Sequence, residues 1–153
     1  MKRNRSIVIG ALATSLVGAA ALTVYAQVKR PYRNGSVWTV AMIRMKPGME
    51  TAYLNYIATD WKRSQEAAKK EGLLVSYRVL QTEAHNPNDW NLLLMTEYKD
   101  LATMEANEGK ADDLAQKVVG DDQKQMQGYK DRLEIREVLG DRLAREIVLE
   151  PKP

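Results

Sequence analysis

The apolar positions of this chain fall into blocks whose period changes along the sequence. Residues 36–45 are rich in Val, Thr, Ile and Trp and read as a strand. Lys46-Pro47-Gly48 breaks it, and Met49, Tyr53, Leu54, Ile57, Trp61, Ser64 and Ala68 then recur at helical spacing up to Gly72. Residues 73–83 and 90–98 are apolar and β-branched enough for two strands. The turn formers His85-Asn86-Pro87-Asn88-Asp89 lie between them, so a hairpin is expected. Residues 101–119 predict a helix ending at Gly120. Residues 122–138 predict its continuation or a separate helix, with Met126, Tyr129 and Leu133 on one side and Asp121 or Asp122 as N-cap. After Gly140, residues 143–149 read as the last strand, stopped by Pro151.

Strand, helix, two strands, helical stretch, strand is an α+β order, the ferredoxin-like βαββαβ arrangement. Right-handed crossovers then place every helix on one face of an antiparallel sheet of order 4-1-3-2. The other face is left bare, and a bare face in a monomer should be polar. Here the first strand carries Val37, Thr39, Ala41, Ile43 and Met45 on one parity and Trp38, Val40 and Met42 on the other. The third sets Leu92 and Leu94 against Leu93 and Met95. Wetting such side chains forfeits about 1.5 to 3 kcal/mol each and invites aggregation, so a cover is expected. A second copy is the simplest one, giving a homodimer in which two sheets face each other as a dimeric α/β barrel.

Ahead of this domain, Lys2, Arg3 and Arg5 precede an apolar run over residues 7–25 that ends in Val24-Tyr25-Ala26. That order is expected of a signal peptide, residues 1–26, cleaved after Ala26; the rival reading is an uncut anchor. Residues 27–35 read as a tether and 36–151 as the domain, placed in the periplasm or secreted, with no membrane contact after cleavage. Removing the leader's three cations cancels the whole chain's formal charge of +3, and no dense basic run remains, so nucleic acid is not expected as a partner. The absence of cysteine removes disulfides, thiolate catalysis and zinc–thiolate sites together.

The opening strand, the Met45-Lys46-Pro47-Gly48-Met49 turn and the long helix after it resemble the dimeric α/β-barrel superfamily, which includes the antibiotic biosynthesis and haem-degrading monooxygenases. Trp38, Lys46-Pro47-Gly48, Trp61, Ser76-Tyr77 and residues 89–99 are most similar to its exported bacterial branch, for which the resemblance implies a fold and a dimer but no particular reaction. The monooxygenases imply an Asn near the first strand, a Trp by the pocket and, in haem degraders, a His on the helix after the third strand. The first strand here has no Asn and residues 101–138 no His, so no cofactor is expected.

Candidate chemistry is sparse. His85, the one histidine, stands among turn formers without a partner, and reads as a solvated turn residue rather than a base. Arg44, Arg78 and Glu97 sit near strand ends, where parity places them with Ser76 on one sheet face. They could hold a carboxylate or form an ion-pair network inside an interface. Every aromatic ring carries a polar atom, since the chain has no Phe, and Trp38, Tyr53, Trp61 and Trp90 are candidates for lining a pocket as well as core residues. The acidic pairs Asp112-Asp113 and Asp121-Asp122 lack calcium-loop spacing, so no metal is expected. No catalytic residue is identified. The leading expectation is a homodimer holding a small apolar or aromatic molecule between sheet and helices. The alternatives are a cofactor-independent oxidation, in which Trp61, Tyr53 or Trp90 positions the substrate, and a protein-interaction module that uses the apolar sheet face.

Overall fold

The computed structural model describes residues 30–150, so the expected signal peptide and the start of the tether lie outside the described residues. Its strands are β1 (Tyr32–Met45), β2 (Ser76–Gln81), β3 (Leu92–Tyr98) and β4 (Arg136–Leu149). They form one antiparallel sheet of order β2-β3-β1-β4, the order read from the sequence. Between β1 and β2 one continuous helical rod comprises α1 (Glu50–Tyr56), a π-helical turn (Ile57–Trp61) and α2 (Lys62–Lys70). Three shorter helices follow β3: α3 (Leu101–Ala106), α4 (Glu108–Val118) and α5 (Asp122–Leu133). The fold is ferredoxin-like. Among the described residues, no helix is long and apolar enough to cross a membrane.

Strand alternation sorts the side chains as expected. Val37, Ile43 and Met45 of β1 and Leu92 of β3 are buried, and Ile43, Met45 and Leu92 form the core with Tyr53 of α1 and Ile57 of the π turn. The opposite parity carries Trp38, Val40 and Met42, level with Glu97, Met95 and Leu93 on β3. These side chains point away from the helices, and Leu80, level with Leu93, is half exposed.

Three boundaries differ from the sequence reading. The first strand starts at Tyr32, inside the expected tether, because residues 32–34 pair with Leu149, Val148 and Ile147. Asn34-Gly35 is therefore a register shift within a two-stranded arm rather than a turn in a tether. Gly35 is required there, since a Cβ would come within 2.4 Å of Glu146 Oε2 and 2.9 Å of its Cβ. The helix expected to reach Val138 stops at Leu133, and residues 136–138 open β4 instead, paired with Met45, Arg44 and Ile43. A strand in place of the last helical turn gives the β1 backbone a partner along its full length. Finally Gly140 does not precede the last strand but lies within it, opposite Met42, beside a second register shift. A Cβ at this glycine would press to 3.2 Å on Met42 Cε. The cap of α5 is as read: the Asp121 carboxylate accepts from Lys124 N–H at 2.9 Å.

Candidate functional site

The residues singled out in the sequence divide between the two faces of the sheet. Trp38, Arg78, Glu97 and Ser76 lie together on the open face: the Ser76 hydroxyl donates to the Glu97 carboxylate, and the Arg78 guanidinium lies 5.7 Å from the Trp38 ring centroid. Arg44 shares that face but stands at the other end of β1, six residues from Trp38, bonded to Glu137 and to the Pro87 carbonyl. The structure thus places Arg44 apart from Arg78, Glu97 and Ser76, and no four-residue cluster forms. Glu97 and Arg44 are thus hydrogen-bonded, whereas Arg78 has no ion pair among the described residues and rests against the Trp38 ring. Trp61 packs edge-on to Tyr77 at 5.3 Å beneath the helices, while Trp90 precedes β3, its backbone N–H donating to Asp89 at 2.9 Å. His85 lies exposed in the connecting loop. Among the described residues no group of three or more His, Cys, Asp or Glu side chains comes together as a metal site.

A different assembly emerges on the helical side. An open cleft of about 760 Å³ runs between the π turn and α5. Tyr56, Tyr129 and Arg132 line it, with the Arg132 guanidinium 4.7 Å from the Tyr56 ring centroid. Its basic side chains, Arg63, Lys124 and Arg132, outnumber the acidic pair Asp60 and Asp131. Arg63 is tied to Asp60 at 2.8 Å, and the Asp131 carboxylate accepts from Gln127 at 2.7 Å. Arg132 has no ion pair among the described residues. π-Helical turns are rare and concentrate at functional sites. Here the extra residue swells the helix at the point where Tyr56 and Asp60 meet the cleft.

The cleft adjoins a second, apolar pocket of about 280 Å³ between α2 and α4, with Ser64 and Val119 on the wall of both. Leu73, Leu74, Met104 and Leu114 make that pocket greasy, with Gln65, Tyr98 and Asn107 as its polar lining. Ligand sites combine apolar walls with a few placed polar groups, a combination the two adjoining compartments supply.

Tyr53 stacks on Tyr56 with ring centroids 5.8 Å apart and leads from the cleft into the core, where it is 1% exposed. Burial pushes its hydroxyl up to about 12, against the opposing influence of the Arg136 cation. The group is therefore a neutral phenol throughout the physiological range. Of the residues chosen from the sequence, Tyr53 alone touches this assembly. Tyr56, Tyr129, Arg132 and Arg136 were missed. The sequence reading set Tyr129 with Met126 and Leu133 on one side of a helix running to Val138, whereas the helix ends at Leu133 and Arg136 lies on β4.

No profile of a known protein family matches the sequence, and no curated protein matches it. Among solved structures, the chain is similar to HapK from Hahella chejuensis at 11% identity and a TM-score of 0.46, over 72% of this chain and 91% of that one. It is similar to a nipsnap family protein with unknown function from Agrobacterium tumefaciens at 15% identity and a TM-score of 0.47, over 78% and 93%. A dimeric ferredoxin-like protein from an uncultured marine organism aligns at 11% identity and a TM-score of 0.46, over 77% and 98%. At these distances no residue role carries over from one chain to another.

Proposed function

We propose that the protein is an exported homodimer that binds a small apolar or aromatic molecule among its helices. The observation that carries the binding role is the cleft at the π turn, continuous at Ser64 and Val119 with the apolar pocket. An apolar body fits the inner compartment, and the outer one supplies aromatic walls and cationic donors. Dimerisation is supported by the open sheet face, where Val40, Met42, Leu93 and Met95 adjoin each other across β1 and β3 on the parity opposite the core residues Ile43 and Leu92. Covering that face with its own copy removes apolar area from water and closes two sheets into a barrel. Export is supported by the basic, then apolar, then small-residue order of the first 26 residues.

Native mass spectrometry of material exported by its own host tests all of this at once. The expected result is a dimer lacking residues 1–26 and carrying a retained small molecule. A monomer at micromolar concentration with no retained mass overturns the proposal. Oxygen uptake with a panel of quinols is expected to be absent, in keeping with a binding rather than an oxidising role.

A further inference from the structure

Arg136 is a charged side chain that the fold buries without completing its hydrogen bonds. It is 6% exposed, and its Nε and Nη1 have no hydrogen-bond partner. A guanidinium presents five N–H donors in its plane and cannot shed its charge, so burial with empty donors is costly unless something occupies them. No carboxylate among the described residues lies within ion-pair distance of it. Its immediate company is aromatic: the Tyr53 centroid lies 5.7 Å from the guanidinium carbon and the Tyr129 centroid 5.5 Å. Ring faces stabilise the cation through their quadrupoles but offer no lone pairs to the in-plane donors, and the Tyr53 hydroxyl, which Arg136 also meets, leaves Nε and Nη1 unpartnered.

Its position links this unmet demand to the cleft. Tyr129 lines the cleft and is 47% exposed, so one half-solvated ring stands between the cleft and the buried guanidinium. Arg132, four residues before Arg136, adds a second guanidinium without an ion pair on the cleft wall. Planar guanidinium forks match carboxylates in bidentate geometry better than any other side chain does.

We infer that Arg136 is the anion anchor of this site and that the molecule bound there is an aromatic carboxylate, its ring among Tyr53, Tyr56 and Tyr129 and its carboxylate accepting from the guanidinium's unpartnered donors. The inference rests on the cleft's being the ligand site and adds the chemical class of the ligand. On entry the Tyr129 ring turns aside, and Arg132 supports the same negative charge from the wall.

The test uses two flat probes that differ only in charge, 2-naphthoate and 2-naphthamide, titrated into the full mature protein by calorimetry. Naphthoate is expected to bind about tenfold or more tightly than naphthamide, the share of affinity that a charge-assisted contact contributes. In Arg136→Met that preference is expected to vanish while naphthamide binding persists. Should Arg136→Met fail to fold, the Arg136 Nε–H resonance of the unaltered protein decides: it is expected to shift with naphthoate and to stay put with naphthamide. Equal binding of the two probes, a preference that survives in Arg136→Met, or an identical Nε–H shift with inorganic phosphate overturns the anchor and leaves the cleft reading standing. Failure of both probes to bind overturns the two together.

Discussion

Removing the Tyr53 hydroxyl by Tyr53→Phe should flatten the alkaline limb of the protein's stability profile. In the unfolded chain this phenol ionises near its ordinary 10.0, whereas in the folded protein burial holds the proton until about 12. Below the lower value both states carry the proton and the contribution is constant. Between the two values the unfolded chain releases it and the folded one keeps it, so stability falls as pH rises, by about 1.4 kcal/mol per pH unit. The two-unit gap sets the total loss at about 3 kcal/mol, complete above the folded-state value. Urea unfolding followed by tryptophan fluorescence at about pH 8 and about pH 11.5 measures the effect, as about three-quarters of that gap has then been crossed. Other tyrosines and lysines titrate in both proteins and cancel in the comparison. The wild type should lose about 2 kcal/mol more than Tyr53→Phe across that interval. Parallel profiles would show that the Tyr53 hydroxyl meets solvent in the folded state, and the account of Tyr53 as a neutral, buried phenol would fail with it.

Three further outcomes follow from the packing. Leu92 is 0% exposed at the centre of the core, so Leu92→Ala should cost about 2 to 5 kcal/mol in chemical denaturation, and a loss below about 1 kcal/mol would contradict the assigned core. Asp121→Ala removes the carboxylate that accepts from Lys124 N–H at the start of α5, with an expected cost of about 1 kcal/mol by thermal or urea unfolding. Val40→Lys places a charge in the middle of the open face, level with Met95. Sedimentation velocity over a dilution series should show dimer affinity weakened at least about a hundredfold with unchanged circular dichroism, and undiminished dimerisation would remove that face from the interface.

Local alternation made one part of the architecture readable. Two parities of β1 and β3, Ile43 and Leu92 against Met42 and Leu93, announced a sheet greasy on both faces, and the structure places the first pair in the core and the second on the open side. The cap at Asp121 was legible for the same local reason, since a side chain there needs only its own next three residues. The π turn was not. Tyr53, Ile57 and Trp61 recur at intervals of four, which on an α-helix drifts by about 40° per step, and the wider turn absorbs part of that drift. Nothing in the residue types distinguishes that from an ordinary amphipathic stripe. The cleft was hidden because its walls come from elements far apart in sequence, and because residues 134–138 have the composition of a helix end while their backbone partner is β1.

A single extra residue in β4 decides which face of the sheet receives Arg136. Met42 pairs with Gly140, but Ile43 pairs with Val138, so Leu139 is the additional residue of a bulge. Had the alternation run unbroken from Gly140, which shares the open side with Met42, Val138 and Arg136 would have joined the open face and Glu137 would have entered the core. The bulge reverses that parity. Val138 packs on the core beside Ile43, Arg136 comes level with Met45 under the helices, and Glu137 reaches Arg44 on the open side. This shifted register is held from two directions, by the Arg44–Glu137 ion pair and by the Lys46 N–H donating to the Ile135 carbonyl at 3.0 Å. A slip of one residue would break both and leave Glu137 buried without its cation. The bulge therefore commits an arginine to the apolar side of the sheet at the expense of simple alternation. A device of that kind is intelligible where the displaced side chain has something to hold, and the two unfilled donors of Arg136 behind Tyr129 are where that demand remains open.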